Sequence, residues 1–193
     1  MWKKIAIAGI AWFLPTLAVA GEAAPDSVAG QASEDPQANA PELAAQIKGS
    51  LDGEQREWFI LSHGNDSNAS FVELGDDVTI DITGFMDEEA WDTQEALSIS
   101  LTVSEEQLVS AVVIHPLGTS LSPPLYTSER EGSDEGGVDV TLTHYERTSQ
   151  WIHVAGKIEG VLALQVELGE PPSAEESIAI DVEFDVKAQK IEF

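Results

Sequence analysis

The segment LSISLTV, residues 97–103, sets Leu97, Ile99, Leu101 and Val103 on one side and Ser98, Ser100 and Thr102 on the other. Strict apolar/polar alternation is the mark of a β-strand with one buried and one wet face. The same period of two recurs on either side of this segment. VTIDITGF (78–85) directs Val78, Ile80 and Ile82 one way and Thr79, Asp81 and Thr83 the other. VDVTLTHY alternates from Val138 to Leu142, and WIHVAGKIEGVL (151–162) places Ile152, Val154 and Ile158 inward. IAIDVEFDV carries Ile178, Ile180, Val182, Phe184 and Val186 on one face. Weaker strand patterns cover 46–51, 57–63, 69–74, 109–115 and 164–168, and turn residues such as Asp52-Gly53, Gly75-Asp76-Asp77 and Gly136-Gly137 separate them. Short strands in such number predict an all-β domain over residues 46–193: an antiparallel β-sandwich of about eight to ten strands, with a closed β-barrel as the alternative. Helix is scarce. Ser104-Glu105-Glu106-Gln107 has the spacing of a capping box and predicts one helical turn, while 87–95 reads as a short helix or an acidic loop.

The chain upstream of this domain reads differently. Lys3 and Lys4 precede an apolar run from Ile5 to Leu17, and Ala18-Val19-Ala20 follows with the small residues a signal peptidase reads. Residues 1–20 therefore read as a secretory signal peptide, and the expected location is periplasmic or secreted. The apolar run is shorter than the ~20 residues of a spanning helix, so no membrane span is expected once it is cleaved. Residues 21–45 hold Pro25, Pro36 and Pro41, many alanines, five acids and no base. That composition buries too little apolar surface to offset ordering entropy and predicts a disordered acidic linker.

Charge and cysteine exclude whole classes of function. The chain of 193 residues carries 35 acids against 9 bases, a formal net charge of −26. Loss of Lys3 and Lys4 would leave 7 bases against 35 acids, or −28. Such a surface repels phosphate backbones, so no nucleic-acid partner is expected. The absence of cysteine removes disulfides, thiolate metal sites and thiol nucleophiles. There is no P-loop, no dinucleotide-binding glycine pattern, no H-E-x-x-H and no complete serine elbow. The reading is of a monomeric, non-enzymatic module that binds a protein or glycan in the cell envelope or outside the cell. A calcium-stabilised structural domain and a carboxylate-dependent glycan hydrolase are the alternatives.

Two groups of residues are candidates for a site. Asp76 with Asp77 and, separately, Asp87 and Glu88 with Asp92 are acid clusters in turns that offer oxygen ligands to calcium; no cofactor is expected, and calcium is the alternative considered. The second group lies in the hairpin that joins 138–147 to 151–162. A two-residue turn at Thr148-Ser149 would oppose His144 and His153, a start to a metal site, but it also pairs Val140 with Lys157 and so mixes core with charge. A three-residue loop at 147–149 keeps the apolar rows together instead. In that register His144 and His153 belong to opposite faces, Thr143 faces His153, and Tyr145 faces Trp151. Tyr145 and Trp151, with His153 beside them, would then form an exposed aromatic patch able to stack on a sugar ring or anchor a partner protein.

Overall fold

In the computed structural model the described residues are 46–191, less 64–65, 89–93, 120–121 and 130–136. The leader and linker readings for 1–45, and Asp92, lie outside the described residues. Among the described residues there are twelve strands: β1 (Ile47–Leu51), β2 (Glu54–Trp58), β3 (Ser62–His63), β4 (Asp66–Ser67), β5 (Ala69–Leu74), β6 (Asp77–Gly84), β7 (Leu97–Ser104), β8 (Gln107–Pro116), β9 (Leu125–Thr127), β10 (Val138–Arg147), β11 (Trp151–Gln165) and β12 (Ser173–Lys190). No helix occurs among the described residues. The fold is all-β, as the alternation predicts.

Ten of these strands form one sheet in the order β10-β11-β9-β8-β7-β6-β5-β12-β1-β2, and β11 also pairs with β12. Strands β3 and β4 make a separate two-stranded ribbon. The β11–β12 hairpin explains how one sheet encloses a core on its own. One edge of β11 bonds β12 along its length; the other bonds β10 from Ile152 to Gly160 and β9 from Ala163 to Gln165. Likewise the free edge of β12 bonds β1 from Ile180 to Phe184, then β5 at Gln189 and Lys190. Pairing therefore runs in a circuit through β5, β6, β7, β8, β9, β11 and β12, with β10 and the β1–β2 hairpin branching from it. The β12–β5 contact is parallel, so the sheet is mixed where a purely antiparallel one was expected.

The circuit closes on a continuous apolar core. Ile80, Leu97, Leu101, Val113, Ile152, Val154, Ile158, Leu162 and Val182 are fully buried. Strands β6 and β7 alternate buried with half-exposed or exposed positions throughout, as their sequences require. At the short parallel seam, Glu73 of β5 accepts hydrogen bonds from Lys190 of β12 and Arg147 of β10. The Lys190 ammonium, and then the charge of Arg147, hold the Glu73 carboxyl below the usual carboxylate range. One carboxylate thus ties three strands where only two residues per strand pair along the backbone.

Two local expectations are corrected. The 104–107 capping box is a hairpin turn between β7 and β8, with Glu105 and Glu106 both in the left-handed region at φ 51° and 64°. Two consecutive left-handed residues match the twist of the flanking strands, and strand pairing outweighs the helical preference of a four-residue segment. The patterns at 151–162 and 164–168 belong largely to one strand. β11 runs on to Gln165 through a register shift at Ala163 and Leu164 that interrupts the alternation.

Candidate functional site

The hairpin of β10 and β11 takes neither register considered from the sequence. Its turn is a two-residue one at Ser149-Gln150, closed by the Thr148 N–H donating to the Trp151 carbonyl at 2.9 Å. The Thr148 hydroxyl braces it by accepting from the Trp151 N–H at 3.0 Å and the Gln150 N–H at 3.3 Å. From Arg147 opposite Ile152 back to His144 opposite Ala155 the ladder is regular. Between Leu142 and His144 the register shifts, leaving Thr143 bulged, and from Leu142 opposite Gly156 to Val138 opposite Gly160 it is regular again.

The bulge reverses which side chains of β10 face the core. Below it, Val138, Val140 and Leu142 pack against the core; above it, Tyr145 does. A regular strand would turn His144 and Glu146 inward after Leu142, and burying two unpaired ionisable groups is expensive. One extra residue avoids that cost by sending both to the outer face. Burial accordingly pushes the Tyr145 phenol up from its ordinary value. Trp151 lies opposite Gln189 on the outer side, so Tyr145 and Trp151 occupy different faces and the expected aromatic patch does not form.

What the register brings together instead is a histidine cluster. Glu146 sits directly opposite His153, and His144 directly opposite Ala155. The ring centroids of His144 and His153 are 4.5 Å apart. One ligand atom from each of His144, Glu146 and His153 lies within 4.8 Å of the others. Across the cluster, Asp185 of β12 is opposite Ala155, and its Oδ1 is 2.7 Å from His153 Nε2. The small side chain of Ala155 thus floors a space rimmed by His144, His153 and Asp185. Lys187, next on β12, places its ammonium 4.6 Å from the centre of the Trp151 ring. Lys157 bridges Glu159 at 2.9 Å and Asp181 at 3.3 Å lower on the same face.

The acidic calcium candidates among the described residues lie at the two ends of one strand. Asp77 opens β6 opposite Leu74 and Ser104, and Asp76 precedes it in the β5–β6 turn. Asp87 and Glu88 follow the far end of the same strand beyond Phe85. An eight-residue strand separates the pairs by roughly 23 Å at ~3.3 Å per residue, so they cannot share one ion.

Two further features are polar but are occupied by the fold itself. His115 is buried beside Tyr126, and its Nδ1 lies 2.9 Å from the Ala96 carbonyl. Burial lowers its pKa from the ordinary 6.5, and the neutral ring donates Nδ1–H to Ala96. An open depression of about 420 Å³ beside the β1–β2 hairpin is lined by Lys48, Gly49, Gln55, Arg56, Glu57, Phe59 and Met86. Its guanidinium is engaged by Glu54 at 3.0 Å and Glu95 at 3.5 Å.

No family model, curated protein or solved structure matches the chain. The case for function therefore rests on the chain's own residues. Within the described residues, no helix is long and apolar enough to cross a membrane.

Proposed function

We propose that the protein is an exported, non-enzymatic binding module that meets its partner with the outer face of β10, β11 and β12. The observation that carries this reading is the side-by-side display of His144, His153 and Trp151 on a rigid part of the sheet. His144 is exposed, and His153 and Trp151 are half-exposed on the same outer face. Aromatic and imidazole groups held by strand pairing lose little entropy when they engage a partner. Lys187 covers one side of the Trp151 indole, so a stacking sugar would compete with an existing cation–π contact. That competition favours a protein partner over a glycan. The leader pattern at 1–20 supports an envelope or extracellular setting, and the net charge of −28 left after its removal suits a soluble monomer there.

The reading is tested by expressing the tagged chain in its native host and capturing partners from envelope and culture fractions. The recovered chain should begin at Gly21, and prey held by the native chain should be lost with Trp151→Ala combined with His153→Ala. A chain recovered intact from the cytosol rejects export. The same prey on both baits rejects this face as the contact.

A further inference from the structure

The geometry of the bulged hairpin points to a divalent transition-metal site, with His144, Glu146 and His153 as ligands and Asp185 as the positioning residue. This deepens the reading above by naming a ligand of the same face. Two imidazoles and a carboxylate suit zinc, copper or nickel, whereas calcium takes six to eight oxygens. Calcium, weighed from the sequence only as an alternative to no cofactor, is not the ion these donors select.

The spacing fits with small adjustments. Around a tetrahedral zinc with bonds of ~2.0–2.1 Å, ligand atoms lie about 3.3 Å apart. One ligand atom from each of the three side chains already lies within 4.8 Å of the others, and His144 Nε2 is 3.9 Å from Glu146 Oε2. The His144 and Glu146 side chains are 46% and 59% exposed and are the ones left to adjust, while His153, 33% exposed, is held by Asp185. The strand register holds their Cβ atoms on one face, and Ala155 keeps the floor low between them.

Asp185 supplies the part that a chance cluster lacks. With Nε2–H of His153 donating to Asp185 at 2.7 Å, the remaining lone pair is at Nδ1. A carboxylate on the far nitrogen fixes both tautomer and ring orientation of a metal-bound histidine. Lys187, directly opposite His153, is drawn over Trp151. Three protein ligands leave a fourth position facing solvent, where water or a partner's side chain completes the shell.

The test is calorimetric titration of the full chain with zinc chloride in chelator-free buffer. One equivalent should bind with micromolar affinity. His144→Asn and His153→Gln should each weaken binding at least about tenfold, and Asp185→Asn by roughly 10–100-fold. Asp76→Asn with Asp77→Asn should change nothing. Histidine ¹⁵N spectra of the zinc form should show the metal on Nδ1 of His153 with Nε2 protonated, and Asp185→Asn should mix the tautomers, which a merely structural role would not do. Absence of zinc binding overturns the site, as does binding that survives the combined His144→Asn and His153→Gln change in a chain that still folds. Zinc binding with an unchanged prey list removes the partner reading alone; prey loss without a zinc response removes the metal site alone.

Discussion

Trp58→Ala is expected to lower the unfolding free energy by about 3–5 kcal/mol, the range for truncating a buried large aromatic. Trp58 ends β2, is wholly buried, and lies opposite Ile47 of β1. Its indole fits over Gly84, where an added Cβ would come within 2.7 Å of the Trp58 Cβ. The indole Nε1–H also donates to the Glu95 carbonyl at 2.9 Å, on a residue with φ of 61°. Removal would leave a cavity between the branching β1–β2 hairpin and the circuit, and would release the turn before β7. Trp58→Phe retains most of the apolar contact and forfeits the hydrogen bond, for which a loss of about 0.5–1.5 kcal/mol is expected. Urea unfolding of the three proteins measures both steps. Since a domain is held by only ~5–15 kcal/mol, Trp58→Ala should shift the midpoint visibly. A loss below about 1 kcal/mol would mean that the hairpin is not docked on the core as described.

Gly49→Ala is expected to cost roughly 2–6 kcal/mol, from backbone strain together with overpacking. Gly49 has φ of 153° in the middle of β1, and a Cβ there would stand 2.1 Å from the Asp181 carbonyl oxygen and 2.6 Å from the Val182 Cα. Both are backbone atoms of β12, so no rotamer change relieves the clash. Strands β1 and β12 would have to part along Ile47–Leu51. Gly53→Ala isolates the steric part of this effect. It too has a positive φ, 79°, but nothing lies within 4 Å of its added methyl, so it should lose only about 1 kcal/mol. Equal losses at the two positions would contradict the close β1–β12 approach.

The fold was legible because burial on one face imposes period two on the sequence, and β6 and β7 obey it at every position. What escaped was non-local. Nothing in the local pattern of β5 or β12 announces that Ser70 and Gln189 pair in parallel. Nor does Leu125–Thr127, three residues within a serine- and proline-rich stretch, carry enough alternation to register as a strand. The long reach of β11 was hidden by the shift at Ala163 and Leu164, where Leu162 and Ala163 are both buried in succession.

The site was misread for two physical reasons. The turn lies at Ser149-Gln150 rather than at 147–149, which moves every pairing of the hairpin, and matching apolar rows assumed an unbroken strand where Thr143 is bulged. A sign of the bulge was nonetheless present. Continuing the row of Val138, Val140 and Leu142 places His144 and Glu146 in the core and leaves Tyr145 outside. A single insertion at Thr143 corrects all three positions at once. Of the residues singled out beforehand, His153 belongs to the cluster, Trp151 lies beside it, and Tyr145 packs against the core. Glu146 and Asp185 gave no signal, since acids recur on the wet positions of several strands, as at Asp81, Asp139, Asp181 and Glu183.

The bulge is the central claim, and the absence of native cysteine makes it directly measurable. Residues directly opposite in an antiparallel pair have Cα atoms ~4.5–5.5 Å apart, within disulfide reach. Under mild oxidation, His144→Cys paired with Ala155→Cys should cross-link within the folded chain, because these positions face each other. Thr143→Cys paired with His153→Cys should stay reduced, because His153 faces Glu146 instead. The opposite outcome, a bridge between 143 and 153 and none between 144 and 155, would restore the unbulged register and separate the two histidines.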